Sequence, residues 1–285
     1  MSSCLENKRY KMMEVREGEY VPDVEDTFPE DEPFTHKLVY ENIYNEVFDE
    51  NYPYIDRSFK WKLMHAWSLF RAHFICFWVN PLIFGLRFKG KENLKKHKAE
   101  LKDGAITVCN HAYRWDFLAV WQASGQLRIW YPAWADNFQT RDRDNMRSTC
   151  GIPVPKSVGG LKKFNLAFDE LHERKAWIHV FPEECRWNNY KPLRPFRKGA
   201  FTFAYKYKMP IVPMVLTYRP RTGIYKLFGK DPLYTINIGE PMYANLEMRR
   251  NESVNDLRER VHAKMEELAG ITKNSWPAVQ PNDNG

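Results

Sequence analysis

The chain has 285 residues, 28% of them charged and 44% hydrophobic, with a formal net charge of +7. That composition excludes a fibrous or wholly disordered protein and suits one substantial α/β domain. The positive balance fits a phosphate-bearing partner, and ten Trp within 15% aromatics favour a lipid surface over nucleic acid, because Trp and Tyr settle where one edge is wet and the other apolar.

Residues 1–50 are rich in Asp and Glu (Glu14, Glu17, Glu19, Asp23, Glu25, Asp26, Glu30, Asp31, Glu32), with Pro22, Pro29 and Pro33 and no sustained apolar period. Such a stretch is expected to form an extended, weakly ordered acidic arm. It would oppose a polyanion, and no nucleic-acid-binding signature accompanies the positive charge elsewhere, so nucleic acid is not expected as a partner.

Residues 55–86 turn abruptly aromatic and apolar, yet Lys62, His65, Arg71 and His73 interrupt them. The longest uncharged run, the 13 residues from Phe74 to Leu86, would reach only about 20 Å as a helix, against a hydrocarbon core of roughly 30 Å. The expectation is therefore a membrane-associating helical hairpin, kinked at Pro81 and lying in the interface. A buried core hairpin is the alternative.

The runs 105–109, 128–131, 177–181, 211–217 and 233–238 read as strands. Between them, 116–125, 137–147, 160–174 and 198–208 carry helical spacing, and 253–269 closes the domain with Ser253 as N-cap and Gly270 just past its end. Alternation of this kind predicts an α/β fold over 87–272, a mixed sheet covered by helices, with a disordered tail at 273–285. The five cysteines (Cys4, Cys76, Cys109, Cys150, Cys185) are odd in number and lack CxxC spacing. With no charged-then-apolar signal pattern at the start, reduced thiols at the cytoplasmic face of a membrane are expected.

The chemistry-bearing segment is Asn110-His111-Ala112-Tyr113-Arg114-Trp115-Asp116, which follows a predicted strand and opens a predicted helix. On one continuous helix, residues five apart lie about 140° from each other and could not meet. With His111 in the turn and Asp116 in the first helical turn, the carboxylate can reach back to one imidazole nitrogen and leave the other for a substrate, as a general base requires. Taken alone, the pair is weak evidence and reads more readily as a structural His beside a helix-start Asp.

Three further segments accompany it: Gly151-Ile152-Pro153-Val154-Pro155-Lys156, Phe181-Pro182-Glu183-Glu184-Cys185-Arg186 and Pro210-Ile211-Val212-Pro213. In this order, over roughly residues 86 to 245, the four resemble the glycerolipid acyltransferase family, which includes lysophosphatidate acyltransferases and, more distantly, tafazzin. The resemblance implies that His111 and Asp116 are catalytic, without an acyl-enzyme. It also implies that Glu183, Arg186 and Lys156 contact a glycerol-phosphate acceptor, with Arg114 as a further phosphate contact. The implied reaction moves a fatty acyl group from acyl-coenzyme A or acyl carrier protein to a lysophospholipid hydroxyl, with 1-acyl-glycerol-3-phosphate the expected acceptor, at a membrane surface and with no cofactor or metal.

Two positions depart from the family pattern: Lys156 stands where Arg is usual, and Glu184 where Gly is usual. Lysine lacks the planar fork for bidentate phosphate capture, and Glu184 brings a side chain and a negative charge to a place where glycine permits an unusual backbone angle. These departures keep two alternatives open, a lipid-binding protein that retains the fold without the chemistry, and an acceptor that is not a phosphoglycerol. A thiol nucleophile (Cys109 or Cys185) has no dedicated base in the sequence, and no ligand spacing supports zinc at Cys109, His111, His179 and Cys185. Lys191, Arg194, Arg197 and Lys198 are expected either to attract anionic lipid or coenzyme A phosphates, or to form a solvated loop.

Overall fold

The computed structural model describes residues 12–280 except residues 30, 36–40 and 127. Cys4, Glu30 and residues 281–285 of the expected tail lie outside the described residues.

Seven strands form the central sheet: β2 (Arg87–Lys89), β3 (Ile106–Val108), β4 (Ile129–Trp134), β5 (Gly151–Val154), β6 (Trp177–Val180), β7 (Ile211–Arg219) and β8 (Leu233–Ile238), in the order β2-β8-β7-β3-β6-β4-β5. Among the described residues only the β7–β8 pair of this sheet is antiparallel, so the sheet is mixed. The strand period of two divides the apolar residues between its faces. Ile106, Val108, Ile178 and Val215 join one core, closed by the helices α3 (Val158–Glu173), α4 (Gly199–Tyr207) and α5 (Arg250–Ala269). Cys109, Trp177, Met214 and Ile236 join another, covered by α2 (Asp116–Ser124) and by part of α1 (Phe59–Phe74). A two-stranded sheet pairs β1 (Glu14–Val15) with β9 (Ile271–Lys273).

Two expected boundaries shift. The 137–147 stretch divides into a 3₁₀ turn, Ala135–Gln139, and a short helix, Arg143–Ser148. The closing helix starts three residues before Ser253, which is buried inside it rather than capping it, while Gly270 ends it in the left-handed conformation at φ 72°. The acidic arm and the tail also pack where they are described: Phe28 stacks on Trp187 with ring centroids 4.7 Å apart, and Trp276 is buried beside the same ring.

The expected hairpin is instead one continuous helix. α1 runs through a π turn, Ile75–Val79, into a closing turn, Asn80–Leu82. Pro81 has no N–H to give and its ring crowds the carbonyl four residues back, and the helix meets it with the π turn, in which the Asn80 N–H reaches five residues back to the Ile75 carbonyl. Among the described residues no helix is long and apolar enough to cross a membrane. The amphipathicity of this helix is inverted. Its inward stripe is Trp61, His65, Ser68, Ala72 and Cys76, whereas Phe59, Leu63, Trp67, Phe70, Phe74, Phe77, Trp78 and Leu82 are all exposed. Without the π turn Leu82 would drift about 140° round the helix from Phe59, and one extra residue per turn restores about 100° of that, keeping the exposed stripe straight.

Candidate active site

β3 and β6 are parallel neighbours, with Val108 opposite Val180. His111 and Glu183 each follow three residues beyond those partners, so both turns leave the sheet at the same carboxyl edge, where α/β folds place their ligands. Asn110 anchors the first turn to β7: its side-chain amide donates to the Leu216 carbonyl at 3.2 Å and its oxygen accepts the Leu216 N–H at 2.8 Å.

His111 Nδ1 lies 2.6 Å from Asp116 Oδ2. Asp116 is the first residue of α2, and its carboxylate also accepts the N–H groups of Ala112 at 3.0 Å, Tyr113 at 3.3 Å and Phe117 at 2.8 Å. Buried at 2% exposure and held by three backbone donors, it cannot swing away. The imidazole donates Nδ1–H to it, which leaves the lone pair on Nε2. With the His111 side chain 21% exposed, the geometry is that of an oriented general base.

The second turn is stitched onto the first. Glu183 Oε2 accepts the His111 N–H at 3.0 Å, while the Trp187 N–H donates to the His111 carbonyl at 3.0 Å and the Asn189 N–H to that of Ala112 at 2.9 Å. Glu183 was expected to touch the acceptor. It is buried instead, and its carboxylate is taken up by protein donors: besides His111, the Arg194 backbone N–H at 2.8 Å and the Arg194 guanidinium at 3.1 Å. Arg194 is buried too and also donates to the carbonyls of Pro33, at 2.7 Å, and Cys185. A buried charge needs such a partner, so Arg194, not Arg186, completes the pair. Lys191 is likewise buried, donating to the Ala269 carbonyl at 2.9 Å, and burial lowers its pKa to about 8. Neither residue belongs to a solvated basic loop.

The phosphate candidates separate. Arg186 is half-buried on the second turn, and its Nε finds no hydrogen-bond partner among the described residues. Arg114 is exposed, with its guanidinium 5.1 Å from the Trp115 ring centroid. Lys156 lies apart from both: it follows the edge strand β5, three strands from β3 and so roughly 14 Å across the sheet, and its exposed ammonium pairs with Asp136 at 3.1 Å. It does not join Arg186.

Glu184 keeps the backbone expected of a glycine, at φ 62°, and turns its carboxylate to Arg197 Nε at 3.2 Å. The thiols are poor nucleophiles here: burial and the nearby Asp116 carboxylate push Cys109 well above the usual thiol range, and burial raises Cys185. The sequence suggested Arg194 only as a phosphate-attracting or solvated basic residue, and gave Asn110 no role of its own. Asn110 stands in the His/Asp segment as a local signal, whereas the tie from Arg194 to Glu183 is a tertiary contact with no local trace.

Against this geometry, the family model described as Acyltransferase matches residues 85–217, which hold both turns and the strands that carry them. The match to that model covers just under half of the chain. The chain is 34% identical over 127 residues to a 1-acyl-sn-glycerol-3-phosphate acyltransferase from Cocos nucifera, a match covering 40% of this chain and 37% of that protein. It is 26% identical over 194 residues to an uncharacterized acyltransferase from Schizosaccharomyces pombe, covering 62% of each. The matches thus span less than two thirds of the length of either curated relative. The crystal structure of the 1-acyl-sn-glycerophosphate acyltransferase from Thermotoga maritima superposes with a TM-score of 0.47 at 19% identity, covering 75% of this chain and 85% of that one. Outside the matched residues lie all of α1, strand β8 and the closing helix α5.

Proposed function

We propose that this chain transfers a fatty acyl group from an acyl thioester, acyl-coenzyme A or acyl carrier protein, to a free hydroxyl of a lysophospholipid, with 1-acyl-glycerol-3-phosphate the first candidate. The observation that carries the reading is the 2.6 Å contact between His111 Nδ1 and an Asp116 carboxylate that three backbone N–H groups hold in place. In the reaction, His111 Nε2 takes the proton of the acceptor hydroxyl as its oxygen adds to the thioester carbonyl. Collapse of the adduct breaks the C–S bond, and the proton leaves with the thiol. Asp116 stabilises the intervening imidazolium.

The name of the Cocos nucifera relative supports the acceptor, and Arg186 on the second turn is its proposed phosphate contact. The exposed aromatic stripe of α1 supports a membrane surface as the place of reaction, since a face with Phe70, Phe77 and Trp78 in the open is costly in water and favourable at a headgroup layer. The test is turnover by purified protein in mixed micelles with an acyl-coenzyme A and a panel of lysophospholipids, beside His111→Ala. Turnover that falls by at least about 10²-fold in the variant, with the fold retained, is expected. A rate unchanged in His111→Ala would sink the assignment, and silence of the wild-type chain with every donor and acceptor would favour a lipid-binding role.

A further inference from the structure

Two anchors hold His111: Asp116 fixes Nδ1 and Glu183 fixes the backbone N–H. Neither fixes the plane of the imidazole about the Nδ1 to carboxylate axis, and turning about it would swing the Nε2 lone pair away from the acceptor hydroxyl. The contact that does so is on the ring face. Phe181, the first residue after β6, stacks on His111 with ring centroids 4.0 Å apart and planes 12° from parallel. Phe181 is itself backed by His179, 4.3 Å away and at 88°. His179 is fixed in turn by Thr107, whose hydroxyl lies 2.9 Å from its Nδ1 on the paired strand, and by Phe117 at 6.0 Å.

We propose that Phe181 is a positioning residue for the acyl transfer described above, holding the plane of the His111 ring and offering its π face to the imidazolium formed when the acceptor hydroxyl gives up its proton. This rests on that reaction. Phe181 is only half-buried, at the rim with His111, where a residue that merely filled the core would be sealed beneath the sheet. Its contact strengthens as positive charge develops on the ring, so it favours the transition state over the ground state. The neighbouring groups suit that role. Asp116 is the carboxylate on the imidazole, Glu183 meets the His111 backbone N–H and is committed to Arg194, and Cys109 and Tyr113 are held neutral. Burial lowers the pKa of His179 to about 3, so no second cation lies behind the ring at neutral pH.

The test compares wild type, Phe181→Leu, Phe181→Met and Phe181→Tyr by imidazole NMR of the substrate-free protein, with His111→Ala assigning the signals, and by steady-state turnover. In wild type the His111 ring protons are expected upfield, in the ring current of Phe181. In the Leu and Met variants that displacement is lost and kcat falls about tenfold, the factor a cation–π contact of this kind supports, while KM for both substrates stays within about twofold. Phe181→Tyr, which keeps an aromatic face, restores both. Met has nearly the volume of Phe without a face, so it decides the matter should Leu fail to fold. Ring protons in wild type without the upfield displacement, or a wild-type kcat in a folded Leu or Met variant, would overturn the proposal. A wild-type chain with no turnover at all would overturn the acyl-transfer reading and this role with it, whatever the NMR reports.

Discussion

The Glu183 carboxylate accepts the backbone N–H of His111 at 3.0 Å while locked to a buried Arg194. It therefore acts as an internal strut between the two turns, and its removal leaves an uncompensated guanidinium in the core. Glu183→Gln and Arg194→Met should each cost about 3–5 kcal/mol in urea unfolding, because each strands one buried charge. The double variant should cost clearly less than the sum of the two. Additive single effects would mean that the two charges are not coupled.

Arg186 and Lys156 offer a contrast in kinetics. Arg186→Ala should raise the KM for a phosphorylated acceptor by about 10- to 100-fold, the range of a lost charge-assisted hydrogen bond. Lys156→Ala, removing an exposed ammonium already paired with Asp136, should leave it within about twofold. An acceptor KM that responds to Lys156 and not to Arg186 would reverse the assignment of the phosphate site.

Glu184 sits at φ 62° with its side chain on Arg197. A left-handed backbone costs a non-glycine residue about 1 kcal/mol, while a half-exposed ion pair returns less than that. Glu184→Gly should accordingly raise the thermal midpoint slightly, and Glu184→Ala, which keeps the strain and loses the pair, should lower it. Equal midpoints for Gly and Ala would show that the turn carries no strain.

His179 makes stability depend on pH. Its folded pKa of about 3 lies below the ordinary 6.5, so between those values the unfolded chain binds the proton and the folded chain does not. Stability from this group is complete above pH 6.5 and declines as the pH falls towards 3, by about 2 kcal/mol at pH 5. Urea unfolding at pH 7 and pH 5 should show that loss in wild type and a smaller one in His179→Leu. The same loss in both would assign it to other groups.

Much of this site is written locally. Five of the sheet's strands are short apolar runs, and the His/Asp pair needs only a strand, a turn and a helix start. The segment Gly151–Val154 did not read as a strand because glycine and proline break the pattern; as an edge strand β5 tolerates Pro153, whose missing N–H costs no interior ladder bond. β2, Arg87-Phe88-Lys89, holds a single apolar residue between two cations and so forms no apolar run. The buried partner of Glu183 left no local trace, because the loop folds back past the nearer Arg186 and delivers Arg194 from eleven residues away. The hairpin failed for a related reason: Pro81 marks a disturbance, and sequence does not reveal whether a helix answers it with a kink or a π turn.

Because β3 and β6 run parallel and end level, every segment joining the two turns must cross back to the opposite end of the sheet before it returns. The lengths of those return segments do not enter the distance from His111 to Glu183. Residues can be gained or lost at the far end, as in the turn between α3 and β6, without altering the chemistry at the near one. The chain is thus free to vary in spacing while remaining bound to the order of its segments.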